Sequence, residues 1–99
     1  MAEKEKKLSE DSTTVLVGNK SSMSYVLALI SQFSRSDKAV VKARGRAISK
    51  AVDVVEITRR RFVENLNIDD IRIETEEMST DDGKKVNVSS IEIYLSKQK

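Results

Sequence analysis

The spacing of apolar residues changes repeatedly along this 99-residue chain, and these changes constrain the fold more than any other feature. Short apolar runs near residues 15–17 and 39–44, and alternation over 71–75, are typical of β-strands. Residues 22–34, and then the segment from about Arg46 to Leu66, have helical spacing. A last strand from about Lys85 to Leu95 gives the order β-α-β-α-β-β. We therefore predict an α/β (α+β two-layer) fold with two helices packed on a four-stranded mixed sheet.

Each predicted helix has one apolar face to bury, and Ser21 or Ser22 can cap the first helix. The predicted buried face of the first helix consists of Met23, Val26, Leu27, Ile30 and Phe33. That of the second consists of Ile48, Val52, Val55, Phe62, Val63 and Leu66, with Val54 and Ile57 widening it. Tyr25 is also expected in the core. For Phe62 two interpretations stay open, a core residue or a contact between protein molecules.

The last two strands form a hairpin, because Asp81-Asp82-Gly83-Lys84 is a strong turn signal. Apolar residues of the returning strand change parity near Ser89-Ser90, which predicts a bulge or a change of environment there. We interpret the hairpin as a base within the sheet and a tip that protrudes as an arm. An ordinary twisted hairpin is the alternative.

Composition excludes several classes of protein. The chain has no cysteine, which removes the thiol nucleophile and the thiolate ligand, and no histidine, which removes the commonest general base and metal ligand. We expect no enzymatic activity, no metal and no cofactor. Residues 1–13 are polar, lack the features of a signal peptide and are expected to form a mobile tail, with a single domain at residues 14–99. No apolar run can span a bilayer, so we expect a cytoplasmic protein without a membrane partner.

Charge is distributed unevenly although the net charge is only +2. Residues 38–52 contain no acidic residue but five basic ones, namely Lys38, Lys42, Arg44, Arg46 and Lys50. This basic run spans a strand end and the first turn of a helix, where free backbone N–H groups favour a phosphate. Lys20, in the other strand-to-helix loop, is expected beside it. Lys84 and Lys85 at the hairpin tip neighbour two aspartates, so their contribution is ambiguous. A solvated basic face without a partner is the alternative.

Several segments resemble the Alba family of archaeal chromatin proteins. They are Val15-Leu16-Val17-Gly18-Asn19-Lys20, Met23-Ser24-Tyr25-Val26-Leu27-Ala28, the run Val41-Lys42-Ala43-Arg44-Gly45-Arg46-Ala47-Ile48-Ser49-Lys50-Ala51-Val52-Asp53, Glu56-Ile57 with Arg61-Phe62, and Val88-Ser89-Ser90-Ile91-Glu92-Ile93. The resemblance implies a homodimer, or a heterodimer with a paralogue, that coats double-stranded DNA in the chromosome and also binds RNA.

The resemblance also implies roles for individual residues. It assigns contacts with the nucleic-acid phosphate backbone to Lys20, Lys42, Arg44 and Arg46, and Lys50 lies in the same basic run. The hairpin arm contributes Lys84 and Lys85. Phe62 matches a residue that contacts neighbouring dimers along DNA. The chain departs from the family at Asn19, where many members have a lysine that can be acetylated, so only Lys20 remains there. Ser21 replaces a frequent proline and offers a helix cap.

Four functions follow as alternatives. The leading one is binding of double-stranded DNA through charge and shape, without base readout. The second is an RNA-binding or ribonucleoprotein subunit that uses the same face. A nuclease or phosphotransfer enzyme is disfavoured, since no carboxylate cluster accompanies the basic loops. A pure protein-interaction module is favoured only if nucleic-acid binding is absent. Four aromatic residues, too few for a base-stacking platform, argue against a single-strand reader.

Overall fold

The computed structural model describes residues 13–98. Its elements are β1 (Thr14–Leu16), α1 (Ser22–Arg35), β2 (Lys38–Arg44), α2 (Ala47–Ile57), a π-helical turn (Thr58–Phe62), β3 (Leu66–Ser79) and β4 (Lys85–Lys97). This order confirms the predicted β-α-β-α-β-β arrangement. All but the last residue of the predicted tail at residues 1–13 lies outside the described residues. Within the described range, no helix combines the length and the apolar character needed to cross a membrane.

The four strands form one mixed sheet in the order β1-β2-β4-β3. Strands β1 and β2 are parallel, with Val15 opposite Val41, whereas β4 is antiparallel to both of its neighbours. Alternate residues of the sheet face the two helices and build the core, namely Val15, Val17, Ala39, Val41, Ala43, Ile91, Ile93 and Leu95. The helices cover only this face, so the opposite face of the sheet is open and the fold has two layers.

Helix α1 buries a different stripe from the predicted one. Val26 and Phe33 are buried as expected, and the other buried positions are Tyr25, Leu29 and Gln32. Met23 and Leu27 are instead exposed, at 44% and 61%. This part of the prediction was wrong because the apolar residues of α1 cover an arc wider than one stripe, and both stripes satisfy helical spacing. The buried Gln32 is accommodated because its amide donates to the carbonyl of Lys38 at 3.2 Å.

The second helix is shorter than predicted. Regular α-helix ends at Ile57 and a π-helical turn follows, closed by the backbone N–H of Val63 donating to Thr58 at 2.8 Å. Leu66 was wrongly placed in the helix, since it begins β3 and is buried opposite Lys97. The buried face also differs from the prediction, because Val52 is 44% and Phe62 50% exposed. The buried residues of α2 are Ala51, Val54 and Val55.

The hairpin leaves the sheet near Ser89-Ser90, where the apolar residues of β4 change from even to odd positions. Pairing between β2 and β4 ends with Arg44 opposite Ser90, and beyond this pair β3 and β4 form strand pairs only with each other, as far as Ser79 opposite Lys85. We call residues 74–90 the arm. The change of environment at Ser89-Ser90 is confirmed, but no bulge lies there. The register shift of the hairpin lies between Ile68 and Asp70 in β3.

Candidate nucleic-acid interface

The two strand-to-helix loops lie side by side at one end of the sheet. Parallel β1 and β2 both end there, and the backbone N–H of Val17 donates to the carbonyl of Lys42 at 2.8 Å. The ammonium of Lys50, in the first turns of α2, donates to the carbonyls of Lys20 at 2.7 Å and Gly18 at 3.4 Å. These bonds hold the first loop against the second helix.

Three exposed cations occupy these loops: Lys20, Arg44 and Arg46. We call them the loop surface. Lys20 belongs to the first loop, and the two arginines flank Gly45 in the second. The two loops are therefore neighbours, as predicted from the sequence. Lys50 lies beside the loop surface, with its charged end bonded to the first loop.

Tyr25 fixes the backbone of the first loop from the core side. Its side chain is only 9% exposed, and its hydroxyl oxygen accepts the backbone N–H groups of Gly18 at 2.9 Å and Lys20 at 3.0 Å. The bond from Lys20 is the main cause that lowers the pKa of Tyr25, because it stabilises the phenolate. Tyr25 and Lys50 thus satisfy the N–H and carbonyl groups of the same short loop.

We expect Tyr25→Phe to loosen the first loop without unfolding the protein. The substitution removes the acceptor of two backbone N–H groups, at a typical cost of about 0.5–1.5 kcal/mol per hydrogen bond. Amide hydrogen exchange measured by NMR should accelerate at Gly18 and Lys20. Tyr94→Phe is the matched control, since its hydroxyl bonds Glu92 on the open face. Unchanged exchange at both amides would contradict this role of Tyr25.

Gly45 gives the second loop its shape. Its φ of +60° lies in the left-handed region, and a Cβ there would meet nothing within 4 Å, so the conformation and not the space requires glycine. Its N–H donates to the carbonyl of Ser89 at 2.8 Å, which ties the loop to the base of the arm. Arg46 occupies the N-cap of α2 without a side-chain capping bond. The N–H of Ile48 in this first turn donates to the carbonyl of Gly45 at 3.2 Å, and no side-chain cap competes with an anion for the other N–H groups of the turn.

Lys42 lies on the open face within a local charge network. Its ammonium is 3.3 Å from the carboxylate of Glu92, and both side chains are 34% exposed. Glu92 also accepts the hydroxyl of Tyr94 at 2.7 Å. The Tyr94 hydroxyl, followed by Lys42, lowers the pKa of Glu92. Arg72 lies over the Tyr94 ring at 4.9 Å. Much of the charge of Lys42 is thus offset by a partly buried partner.

The remaining predicted residues lie away from the loop surface. Lys84 and Lys85 are exposed at the tip of the arm, and Lys85 is 3.6 Å from Glu77. Phe62 is half exposed and lines a cleft with Asp37 and Lys97, at the opposite end of the sheet from the two loops. The structure therefore brings together Lys20, Lys42, Arg44, Arg46 and Lys50, but not the arm lysines or Phe62.

Sequence reasoning missed the side chains that support the site. Tyr25 was expected in the core, but its hydroxyl contacts a loop several residues earlier, and spacing gives no signal of this. Glu92 and Glu76 pair with Lys42 and Arg44 through strand register. Only the alternation of Glu92 with the buried Ile91 and Ile93 indicates that its side chain shares a face with Lys42.

Comparison with known families agrees with this geometry. The family model described as Alba matches residues 13–75. This chain belongs to the Alba family. Two archaeal relatives are very similar to it over most of their length. The DNA/RNA-binding protein Alba of Methanocella arvoryzae is 51% identical over 88 residues, covering 88% of this chain and 92% of the relative. DNA/RNA-binding protein Alba 1 of Archaeoglobus fulgidus is 51% identical over 86 residues, covering 86% and 96%.

Solved Alba structures share the fold. Alba from Thermoplasma volcanium superposes with a TM-score of 0.79 at 48% identity, covering 85% of this chain and 99% of that one. ALBA1 from Trypanosoma brucei superposes with a TM-score of 0.68 at 23% identity, covering 86% and 68%, and shows likeness of fold alone. The family resemblance and the two-layer architecture inferred from sequence are both confirmed.

Proposed function

We propose that this Alba chain binds double-stranded DNA through its phosphate backbone, without sequence preference, and coats or compacts chromosomal DNA as a homodimer. The observation that carries the proposal is the loop surface. Lys20, Arg44 and Arg46 are exposed on two joined loops, beside the uncapped start of α2. Cations beside a helix N-terminus of this kind bind phosphates. The archaeal relatives are named DNA/RNA-binding proteins, which supports the same activity here.

The other predicted residues take graded roles in this proposal. Lys50 positions the first loop, since its ammonium bonds two loop carbonyls. Lys42 contributes less than Arg44, because Glu92 offsets its charge. Lys84 and Lys85 lie at the tip of the arm, so they contact only those phosphates that the tip reaches. Phe62, half exposed at the far end of the sheet, is available for contacts between neighbouring dimers.

The positions of the aromatic residues favour recognition of the phosphate backbone over recognition of the bases. Tyr25 and Phe33 are buried, and Tyr94 is bonded within the open face. Phe62 lies far from the loops. No aromatic side chain is therefore placed to stack bases beside the loop surface, which argues against single-strand recognition. Charge and shape then provide the affinity, and no enzymatic activity is proposed. We propose a cytoplasmic, chromosome-associated location.

The homodimer is proposed from an exposed apolar surface on β3. Ile71 and Ile73 are paired with Ile93 and Ile91, so they face the helix side of the sheet, yet they are 52% and 77% exposed. Ile73 also lines a groove with Ile48. Neighbouring exposed isoleucines of this kind mark interaction sites. A second copy of this chain, or a paralogue in a heterodimer, buries these isoleucines and doubles the number of loop surfaces.

Binding to a random-sequence duplex across several salt concentrations tests the proposal. Fluorescence anisotropy should show affinity that falls steeply with salt, by about 0.9 log units per decade for each neutralised phosphate. Arg44→Ala should flatten that slope, by at most about 1.8 for a dimer that uses Arg44 twice. Lys42→Ala is the matched control, and its effect should be clearly smaller. Absent or salt-insensitive binding would contradict the proposal and favour a protein-interaction module.

RNA binding is the second candidate function. The relatives are named for both polymers, and the loop surface is proposed to contact only phosphates, which DNA and RNA share. Competition between a DNA duplex and a structured RNA, in the same anisotropy assay, separates the two. Preferential displacement by RNA at equal phosphate concentration would favour a ribonucleoprotein role.

A further inference from the structure

We propose that Glu76 competes with nucleic-acid phosphates for Arg44 and thereby limits the affinity of this chain. The inference rests on the proposed function and adds an internal competitor to it. The carboxylate of Glu76 lies 3.7 Å from the guanidinium of Arg44. Arg44 is one of three cations on the loop surface, and among the residues described it alone of the three is paired with a carboxylate there.

The sheet register explains why Glu76 meets Arg44. Arg44 is the last residue of β2 and lies opposite Ser90, which lies opposite Glu74 on β3. Glu76 follows two residues later, so its side chain lies on the same face, at the base of the arm. Arg44, Glu76 and Glu92 line one shallow groove on this face. The arm thus carries a carboxylate to the place where a phosphate is proposed to bind.

The Arg44–Glu76 pair is loose enough to be displaced. Their side chains are 60% and 52% exposed, and exposed pairs contribute little to stability. The Lys42–Glu92 pair differs, because both side chains are only 34% exposed and Tyr94 also bonds Glu92. A phosphate offers a guanidinium two charge-assisted hydrogen bonds, which makes it a strong competitor for Arg44. Glu76 is therefore an exchangeable partner, and Glu92 is a fixed one.

The charge of the arm strengthens this competition. Residues 74–90 contain five acidic side chains and two lysines, which gives the arm a net charge of −3. Lys85 is itself paired with Glu77. When a phosphate displaces Glu76, the released carboxylate stays near the polyanion and recruits a counterion. Binding then releases fewer ions overall, so Glu76 lowers both the affinity and its dependence on salt.

Glu76→Gln tests the inference, because it removes the charge and keeps the size of the side chain. We expect the duplex affinity at low salt to rise about two- to tenfold and the salt slope to steepen. The gain should vanish in the Arg44→Ala background. Glu74→Gln is the matched control, since it removes the same charge from the same strand and face. No ion pair of Glu74 is present within residues 13–98.

Every outcome of these titrations either supports or overturns the inference about Glu76. A gain for Glu76→Gln that depends on Arg44 and exceeds that of Glu74→Gln supports the inference. An equal gain for both variants, or a gain that persists without Arg44, shows a general effect of arm charge and overturns it. No change for Glu76→Gln, with normal wild-type binding, also overturns it but leaves the proposed function intact. Wild-type protein that binds no duplex overturns both.

Discussion

Ile73→Glu is expected to convert the protein to a monomer and to weaken duplex binding by about a hundredfold or more. Ile73 is 77% exposed beside the buried Ile91, so a carboxylate there is tolerated in a single copy. At the proposed interface it would be buried without a partner, which strongly disfavours association. Linking two binding surfaces can raise the avidity about 10²–10⁴-fold over that of one surface, so losing the proposed dimer should remove most of the affinity.

The measurement combines light scattering after gel filtration with the anisotropy titration. Leu27→Glu is the matched control, because Leu27 is 61% exposed and does not line the groove of Ile73. This variant should keep the mass and the affinity of the wild type. Circular dichroism checks that both variants are folded. A dimeric Ile73→Glu variant with native affinity would contradict the proposed interface.

Leu29→Ala is expected to lower the free energy of unfolding by about 2–5 kcal/mol. Leu29 is completely buried between α1 and the sheet, so truncation removes packing and leaves a cavity. Leu27→Ala makes the same chemical change two residues away, at a position that is 61% exposed. That control should stay within about 0.5 kcal/mol of the wild type.

Urea denaturation at one fixed protein concentration measures both variants, because the proposed dimerisation would make apparent stability depend on concentration. The ratio of the two effects reports which stripe of α1 faces the sheet. Equal destabilisation by both substitutions would mean that Leu27 is buried as deeply as Leu29. The sequence-based prediction placed Leu27 on the buried face, so the experiment separates that prediction from the structure.

The candidate site was predictable as a set of cations, but not as a set of partners. The acid-free run from Lys38 to Val52 and the helix start after Gly45 directly indicate the region that we propose binds phosphates. The role of each residue within this region depends on contacts between segments that are distant in the sequence. Lys50 bonds a loop thirty residues earlier, and Glu76 on β3 meets Arg44 on β2 across the intervening strand β4. Such pairings follow from strand register and helix docking.

The sequence by itself determined the order of elements, the hairpin turn and the position where the arm leaves the sheet. These depend on local propensities and on alternation along one strand, which a single segment contains. The tertiary structure alone decided that Leu29 and not Leu27 enters the core, and that Leu66 leaves the helix for β3. The apolar residues of α1 cover an arc wider than one stripe, so only docking against the sheet selects the face that is buried.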